Sequence, residues 1–367
     1  MSSMSTQKFT NGLAGFELRN ASAVPELEEA LLTFLRPYFW RDDAAPVQFS
    51  LMFEPFASLP EEWRDAAGRE LAIRDSSAAE FNLRGVQIDI AGAGEQVVVD
   101  RRTQTGYHIL PGDSQVTFYA SRQSIIHLYE LVRYTALLAE EGFGAVLLHA
   151  AATVHDDRCY LIVGNKGAGK TTTILHLLQD HGHQYFSGDK VLVTRNERGA
   201  WFRGWPDYPH LGIGTLRRFP STAASCGVDL NFADGAPKPD QMKVLIEPRI
   251  FRSAVRCGSC RGLGQAAALV FPSVSSTIAS ARIIPPEERD ATLLAGFVEY
   301  PHEFKTARWH GLLGSVRRNQ RANPRGVLEA LCSVPWVAIS GPADFGEAAR
   351  LLRSQPATEP ARAVAAV

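Results

Sequence analysis

Eight consecutive residues constrain the fold of this 367-residue chain more than any other feature. They run from Gly164 to Thr171 with the sequence GNKGAGKT, and they match the pattern GxxxxGK[ST]. Apolar residues predict a strand over Cys159 to Val163, directly before the glycines. Leucines and an isoleucine at helical spacing predict a helix that begins near Lys170 and ends before Gly182. A strand, a glycine loop and a helix in this order indicate an α/β core.

A loop of this kind binds phosphate for separable physical reasons. Glycines allow successive backbone N–H groups to turn toward an anion, and the positive end of the following helix adds to that field. We expect Lys170 to reach the β and γ phosphates of ATP and Thr171 to offer its hydroxyl to Mg²⁺. The expected nucleotide contacts are Gly164, Asn165, Lys166, Gly167, Ala168, Gly169, Lys170, Thr171 and Thr172. The alternative is a glycine loop that only turns the chain between a strand and a helix.

Two further side chains near this motif could carry chemistry. Asp189 follows a strand predicted at Gln184 to Phe186, where P-loop proteins place an acid that meets the metal or the attacking group. Its alternative role is a turn aspartate hydrogen-bonded to its own backbone. His149 lies in a strand predicted from Ala145 to Val154, and a histidine in an apolar strand is more often a core residue than a catalytic one.

Three segments around the motif resemble the catalytic domain of HPr kinase/phosphorylase. They are Leu147 to Ala150, Leu161 to Thr172 and Gly182 to Lys190, so the resemblance covers mainly residues 145 to 195. That family has a histidine one strand ahead of its P-loop and a Gly-His segment that leads to two aspartates. The resemblance implies a P-loop core like that of phosphoenolpyruvate carboxykinase, and it places His149 near the metal and the phosphates.

The chain departs from the family pattern at two positions. Gly188 precedes Asp189 where the family has two adjacent aspartates, so the identity of the general base stays open. The family's Leu-Glu-x-Arg-Gly signature is absent from the corresponding segment, about Gly204 to Thr215. The resemblance therefore does not extend to reverse phosphorolysis or to HPr as the substrate.

Composition excludes several other classes of function. The 38 Lys and Arg residues balance 39 Asp and Glu residues, so overall charge favours neither nucleic acid nor an anionic membrane. No apolar run reaches about 18 residues, and the first 20 residues lack a signal-peptide pattern. The five cysteines are too few and odd in number for a disulfide framework. We therefore expect a cytoplasmic protein with reduced thiols.

The predicted organisation is an N-terminal α+β region over residues 1–115, a P-loop catalytic domain over 116–353 and a loose tail over 354–367. The first region contains strands predicted at Val47 to Phe53, Val86 to Ile90 and Val97 to Val99. A helix is predicted over Ser124 to Glu141, and residues 205–220 are predicted to form a long ordered loop. The predicted later elements are strands at 241–246, 266–271 and 334–339 and a helix at 345–352.

Weaker candidates each have an unremarkable alternative. Cys257 and Cys260 form a lone CxxC without the other ligands of a zinc site. Lys243 and Glu247 could contact nucleotide or metal, although a solvated strand face explains them equally. The stretch from Lys305 to Arg325 contains six basic residues and is either a solvated helix face or a patch that meets an acidic partner.

The function predicted from these observations is an ATP- and Mg²⁺-dependent kinase. Its substrate would be a hydroxyl group of a protein, a peptide or a small molecule, and the resemblance is compatible with a homo-oligomer. The alternative is a nucleotide-binding regulator or pseudokinase switched by ATP and ADP, which the missing second aspartate favours. Neither nucleic acid nor a membrane is an expected partner.

Overall fold

The computed structural model describes residues 6–75, 81–90, 94–197, 199–257, 263–274, 280–313, 324–341 and 345–354. Backbone contacts divide the chain into two units. Unit 1 contains Met1–Ala145 and Tyr300–Ala322, and unit 2 contains Val146–Glu299 and Asn323–Val367. The fold is mixed α/β with several sheets, as the sequence predicts. No helix in the described part of the chain is both long enough and apolar enough to cross a membrane.

Unit 1 is built on a nine-stranded sheet. Its strands, numbered along the chain, are β1 Thr6–Thr10, β2 Gly15–Arg19, β3 Trp40–Arg41, β4 Phe49–Pro55, β5 Arg69–Arg74, β6 Leu83–Asp89, β7 Gln96–Asp100, β8 Thr105–Leu110 and β9 Gln115–Ala120. Its helices, numbered likewise, are α1 Pro25–Leu35, α2 Glu61–Arg64, α3 Ile125–Gly142 and α9 Lys305–Arg308. The strand order is β3-β1-β2-β4-β9-β8-β7-β6-β5, with parallel pairing only from β2 to β4 and from β4 to β9.

Helix α3 is tied to the sheet of unit 1 by both apolar and polar contacts. The ring of Tyr129 stacks on Phe34 of α1 with centroids 4.2 Å apart. His127 is buried between Tyr107, whose hydroxyl lies 2.7 Å from Nδ1, and Asp100, whose carboxylate lies 2.9 Å from Nε2. These contacts place α3 with the preceding strands, and the first segment of unit 1 runs through Ala145.

Unit 2 carries the glycine motif and a second large sheet. Its strands are β10 Val146–His155, β11 Arg158–Val163, β12 Gln184–Ser187, β13 Lys190–Asn196, β14 Gly199–Gly204, β15 His210–Gly212, β16 Lys243–Leu245, β17 Leu263–Ser273, β18 Ser280–Ile284, β19 Val298–Glu299 and β20 Trp336–Ser340. Its helices are α4 Lys170–Asp180, α5 Ile213–Arg218, α6 Pro220–Ser225, α7 Pro248–Ala254, α8 Ala291–Ala295, α10 Pro324–Cys332 and α11 Phe345–Ser354.

The strand order in the large sheet of unit 2 is β11-β10-β13-β14-β17-β20-β18. Strands β12 and β19 also pair with β10, and β11 pairs in parallel with β17. Helix α4 packs through Ile174, Leu175 and Leu178 into a core that includes Ile162 and Val270 of the sheet. The apolar periodicity of α4 therefore fixes the helix beside the strand that leads into the glycine loop.

Most predicted elements of unit 2 are confirmed, but the long loop predicted over residues 205–220 is wrong. That segment contains β15, all of α5 and the first residue of α6. Strand β15 exists because it pairs with β16, about thirty residues later along the chain, through contacts such as Leu211 with Val244. The N–H groups of Ile213 and Gly214 donate to carbonyls at Met242 and Asp240. Such nonlocal pairing overrides the glycine and proline content that indicated a loop.

Candidate functional site

The glycine loop connects the end of β11 to the start of α4, as the sequence predicts. Gly167 and Gly169 have φ angles of 87° and 105°, in the left-handed region that favours glycine. A Cβ atom at Gly169 would lie 2.3 Å from the side chain of Val274. The N–H of Val274 also donates to the carbonyl of Ala168 over 3.1 Å. Both backbone conformation and close packing therefore require glycine at position 169.

The tip of the glycine loop is exposed to solvent, and its C-terminal end continues into the first turn of α4. Residues 165 to 167 are exposed, whereas Thr172 and Thr173 are buried in α4. The first turn of an α-helix leaves N–H groups without intrahelical acceptors, and the helix dipole adds positive potential there. The loop and the first turn of α4 can thus bind an anion through backbone groups.

Lys170 is folded back onto this loop. Its ammonium donates to the carbonyl oxygen of Gly164 over 2.6 Å. Burial lowers the pKa of Lys170, an effect opposed by the negative charges of Asp189 and Glu299 and reinforced by the positive charge of Lys243. The charges of two carboxylates therefore act on the ammonium that the motif assigns to phosphate.

His149 and Asp189, which the sequence singles out separately, lie together. His149 is on β10 opposite Lys190 of β13, and its backbone N–H donates to the carbonyl of Phe297 over 2.8 Å. Asp189 lies between the end of β12 and the start of β13. The distance from His149 Nε2 to Asp189 Oδ1 is 3.7 Å. The antiparallel strands thus bring the predicted histidine and the predicted acid to one place.

A third member of this cluster, Glu299, was missed by the sequence analysis. It ends the two-residue strand β19, where it pairs with Leu147 of β10. Its Oε1 lies 3.4 Å from His149 Nδ1, and its Oε2 accepts a hydrogen bond from the Lys190 ammonium. No local pattern identifies Glu299, because it is 110 residues from Asp189 along the chain and its strand is too short to show a period.

The ionisation of Glu299 reflects these two partners. Burial alone would raise its pKa, but the interactions with His149 and with the Lys190 ammonium outweigh burial. The net effect lowers the pKa of Glu299 from 4.5 to about 2. Glu299 is therefore a stable carboxylate at neutral pH.

The packing around Gly188 leaves no room for a side chain. A Cβ atom there would lie 2.5 Å from the hydroxyl oxygen of Tyr185, whose buried ring packs against Phe251. An aspartate at position 188 would require Tyr185 to move. Among the described residues, Glu299 on the distant strand β19 provides a second carboxylate near His149, in addition to Asp189.

The Gly-His segment before Asp189 has a packing role. His183 is buried, and its Nδ1 lies 2.9 Å from the hydroxyl of Thr153 on β10. Ser187 donates its hydroxyl to the carbonyl of Lys190 over 2.6 Å and accepts the N–H of Trp205 over 3.1 Å. These bonds hold β12 and the turn that carries Asp189.

The weaker candidates are distributed around the unit. Glu247 accepts the N–H groups of Arg249 and Ile250, so it caps α7. Lys243 lies on β16, and after burial and the opposing charge of Asp189 its positive charge helps to lower the pKa of Lys170. Burial raises the pKa of the Cys257 thiol to about 11, which disfavours the reactive thiolate.

Several candidates lie outside the described residues. They are Cys260, Arg317, Arg318, Arg321 and the tail from residue 355 onward. Of the basic stretch, Lys305 begins α9 and Arg325 pairs with Glu329 of α10 at 2.8 Å. Within the described chain, no group of three or more histidine, cysteine, aspartate or glutamate side chains is arranged to hold a metal ion.

The similarity of this chain to known proteins is distant. No protein-family model and no curated protein matches the sequence. A solved structure described as the HPr(Ser) kinase/phosphatase from Coxiella burnetii matches with 14% sequence identity and a TM-score of 0.23. The match covers 56% of this chain and 93% of that chain.

Proposed function

We propose that the protein is an ATP- and Mg²⁺-dependent phosphotransferase with a P-loop core of the HPr kinase type. The observation that carries the proposal is the proximity of a complete GxxxxGK[ST] loop to a histidine and carboxylate cluster. Burial lowers the pKa of Lys170 and the negative charges of Asp189 and Glu299 oppose that effect. His149 lies 3.7 Å from Asp189 and 3.4 Å from Glu299. A loop with the sequence of a phosphate-binding loop beside ionisable groups is typical of sites that transfer phosphoryl groups.

Binding of the nucleotide would use the loop amides and the Lys170 ammonium. Mg²⁺ takes oxygen ligands and is commonly held by one or two protein groups together with phosphates and water. The Thr171 hydroxyl and the Asp189 carboxylate are donors of this kind, and Mg²⁺ would neutralise charge on the phosphates. In this proposal the two side chains supply part of the coordination of the ion, and phosphate and water oxygens supply the rest.

In the proposed reaction, the hydroxyl oxygen of the substrate forms a bond to the γ-phosphorus of ATP. The bond from that phosphorus to the bridging oxygen breaks, and its electron pair stays on the β-phosphate of ADP. Asp189 accepts the hydroxyl proton or orients the hydroxyl for attack. The substrate class comprises serine-type side chains of a protein or peptide and small hydroxyl compounds.

The test is transfer of label from γ-labelled ATP with Mg²⁺. The acceptors are a desalted cell extract and, separately, a pool of small metabolites, each with the wild-type protein and with Lys170→Ala and Asp189→Asn. Label in a macromolecule or a metabolite that requires both residues supports the phosphotransferase. Nucleotide binding with no labelled product in either pool contradicts it.

A second candidate function, a nucleotide-binding regulator, is favoured by the packing at Gly188. The hydroxyl of Tyr185 lies 2.5 Å from where the Cβ of an aspartate at position 188 would be. This packing therefore suits glycine at position 188 and not the first of two adjacent aspartates. A regulator would bind ATP and ADP without transfer and would differ in conformation or oligomeric state between them. Size-exclusion chromatography with ATP, with ADP and without nucleotide distinguishes this function from the first.

A further inference from the structure

Two segments of unit 2 bring charged residues to the region of His149. Asp189 precedes β13, Lys190 begins β13 and Glu299 lies on β19. The negative charges of Asp189 and Glu299 also raise the pKa of Lys170 at the start of α4, against the larger effect of burial. The chemical question is which of the two carboxylates meets the substrate and which holds the other groups in place.

The two oxygens of Glu299 each face a different partner. Oε1 lies 3.4 Å from His149 Nδ1, and Oε2 accepts from the Lys190 ammonium. The opposite ring nitrogen of the histidine, Nε2, lies 3.7 Å from Asp189 Oδ1. The imidazole is therefore held between two carboxylates, with Glu299 on its Nδ1 side.

Exposure separates the roles of these carboxylates. The side chain of Asp189 is 48% exposed, that of Glu299 is 27% exposed and that of Lys190 is 12% exposed. Asp189 is thus the more accessible acid, whereas both oxygens of Glu299 face protein partners. A carboxylate with a pKa of about 2 is also a very weak base, so Glu299 is poorly suited to accept a proton.

We propose that Glu299 is a positioning residue of the transfer site, which orients the His149 imidazole through Nδ1 and keeps the Lys190 ammonium away from Asp189. The inference rests on the proposed function. Lys190 adjoins Asp189 in sequence, and loss of the Glu299 charge would leave the attraction of the Lys190 ammonium to the Asp189 carboxylate unopposed. Glu299 prevents that pairing and leaves Asp189 available to Mg²⁺ and to the substrate hydroxyl.

The variants that test this role alter Glu299 with little change in volume. Glu299→Gln removes the charge, and Glu299→Asp keeps the charge on a shorter side chain. Glu288→Gln removes a carboxylate from an exposed ion pair with Arg282 and is the matched control in the same unit. Glu299→Gln combined with Lys190→Met removes the attraction between Lys190 and Asp189.

Steady-state kinetics and nucleotide binding provide the first measurement. We expect Glu299→Gln to lower kcat roughly 10- to 100-fold while the Kd for ATP changes less than about threefold. Glu299→Asp should recover part of the lost kcat because it restores the negative charge. The double variant should also recover part of it, because no ammonium remains to be attracted to Asp189. Removing Lys190 would not relieve a purely structural defect. An unchanged kcat in Glu299→Gln, or a double variant as inactive as the single variant, overturns the proposal.

The second measurement does not depend on catalysis. Nitrogen-15 NMR of labelled histidine, at one fixed pH, reports the electrostatic environment of His149 Nδ1, which lies 3.4 Å from Glu299 Oε1. We expect its resonance to move in Glu299→Gln and to stay in place in Glu288→Gln, and an unmoved resonance in both variants overturns the proposal. If this shift occurs but wild-type protein transfers no label, the contact with Glu299 is upheld and the phosphotransferase function fails.

Discussion

The Lys170 ammonium donates a hydrogen bond to the carbonyl oxygen of Gly164, at the opposite end of the same glycine loop. The two groups are 2.6 Å apart, and the contact places the positive charge over the loop interior. A phosphate bound in the loop would replace this neutral carbonyl with charged oxygens. The ammonium is charged in both contacts, but only the phosphate oxygens add the attraction between opposite charges, so the exchange favours nucleotide.

The first prediction concerns the loss of this ammonium. We expect Lys170→Ala to reduce phosphate transfer by about 100-fold or more and to weaken ATP binding, because the variant lacks the charge that faces the phosphates. Calorimetry with ATP and the labelled-transfer assay measure the two effects. Lys8→Ala, on β1 of unit 1, is the control, and equal ATP affinity and turnover in all three proteins would refute this role.

The second prediction separates binding from transfer at Asp189. Asp189→Asn keeps the size of the side chain and removes its negative charge, so we expect ATP affinity to change only a few-fold. Transfer should fall by roughly 100-fold or more, because the amide neither accepts a proton nor holds Mg²⁺ as a carboxylate does. The comparison is kcat against the Kd for ATP. Affinity lost to the same extent as in Lys170→Ala would contradict the role given to Asp189.

The parts of the site that the sequence predicts are those with local signals. The loop from Gly164 to Thr171 is recognisable because its glycines, lysine and threonine are adjacent, and its flanking strand and helix have clear apolar patterns. The helix α3 is likewise found at Ile125–Gly142, within one residue of its predicted ends. Local spacing carries the information in both cases.

The parts that the sequence does not predict depend on contacts between distant segments. Glu299 becomes a neighbour of His149 only because β19 pairs with β10. The strand β15 forms only against β16, and the attachment of α3 to unit 1 depends on the buried group around His127. Tertiary pairing decides these features, and no short pattern encodes it.

The third prediction concerns the glycine that ends the loop. Gly169→Ala should lower the free energy of unfolding of unit 2 by about 1–3 kcal/mol and weaken nucleotide binding, because its Cβ would overlap Val274 at a positive φ. Gly167→Ala shares the positive φ but has no heavy atom within 4 Å of the added Cβ. Urea unfolding should therefore show the smaller loss for Gly167→Ala. Equal losses would show that packing against Val274 is unimportant.

The fourth prediction concerns acid and Glu299. Because the folded state lowers the pKa of Glu299 from 4.5 to about 2, the unfolded state binds more protons between these values. The stabilisation from this carboxylate is therefore complete above about pH 4.5 and is lost as the pH falls toward 2. Urea unfolding of wild type and Glu299→Gln from pH 7 to pH 3 measures it. The gap between the two proteins should narrow only below about pH 4.5, and a constant gap would contradict the prediction.

The fifth prediction concerns His310, a fully buried histidine of unit 1. Its Nδ1 accepts the N–H of Leu312 over 3.1 Å, and its Nε2 lies 3.2 Å from the hydroxyl of Thr135. That hydroxyl donates to the carbonyl of Leu131 over 2.6 Å, so the ring must carry its proton on Nε2 and be neutral. Burial lowers the pKa of His310 to about 3.

The unfolded chain protonates this histidine below about pH 6.5, whereas the folded chain resists protonation until about pH 3. Stability therefore falls as the pH decreases through this window, since the unfolded state binds the additional proton. His310→Asn keeps an acceptor for Leu312 and removes the titrating ring, so its free energy of unfolding should fall less between pH 6.5 and 4. NMR of wild-type protein should show a His310 ring that does not titrate over the same interval, and a midpoint near 6 would contradict both expectations.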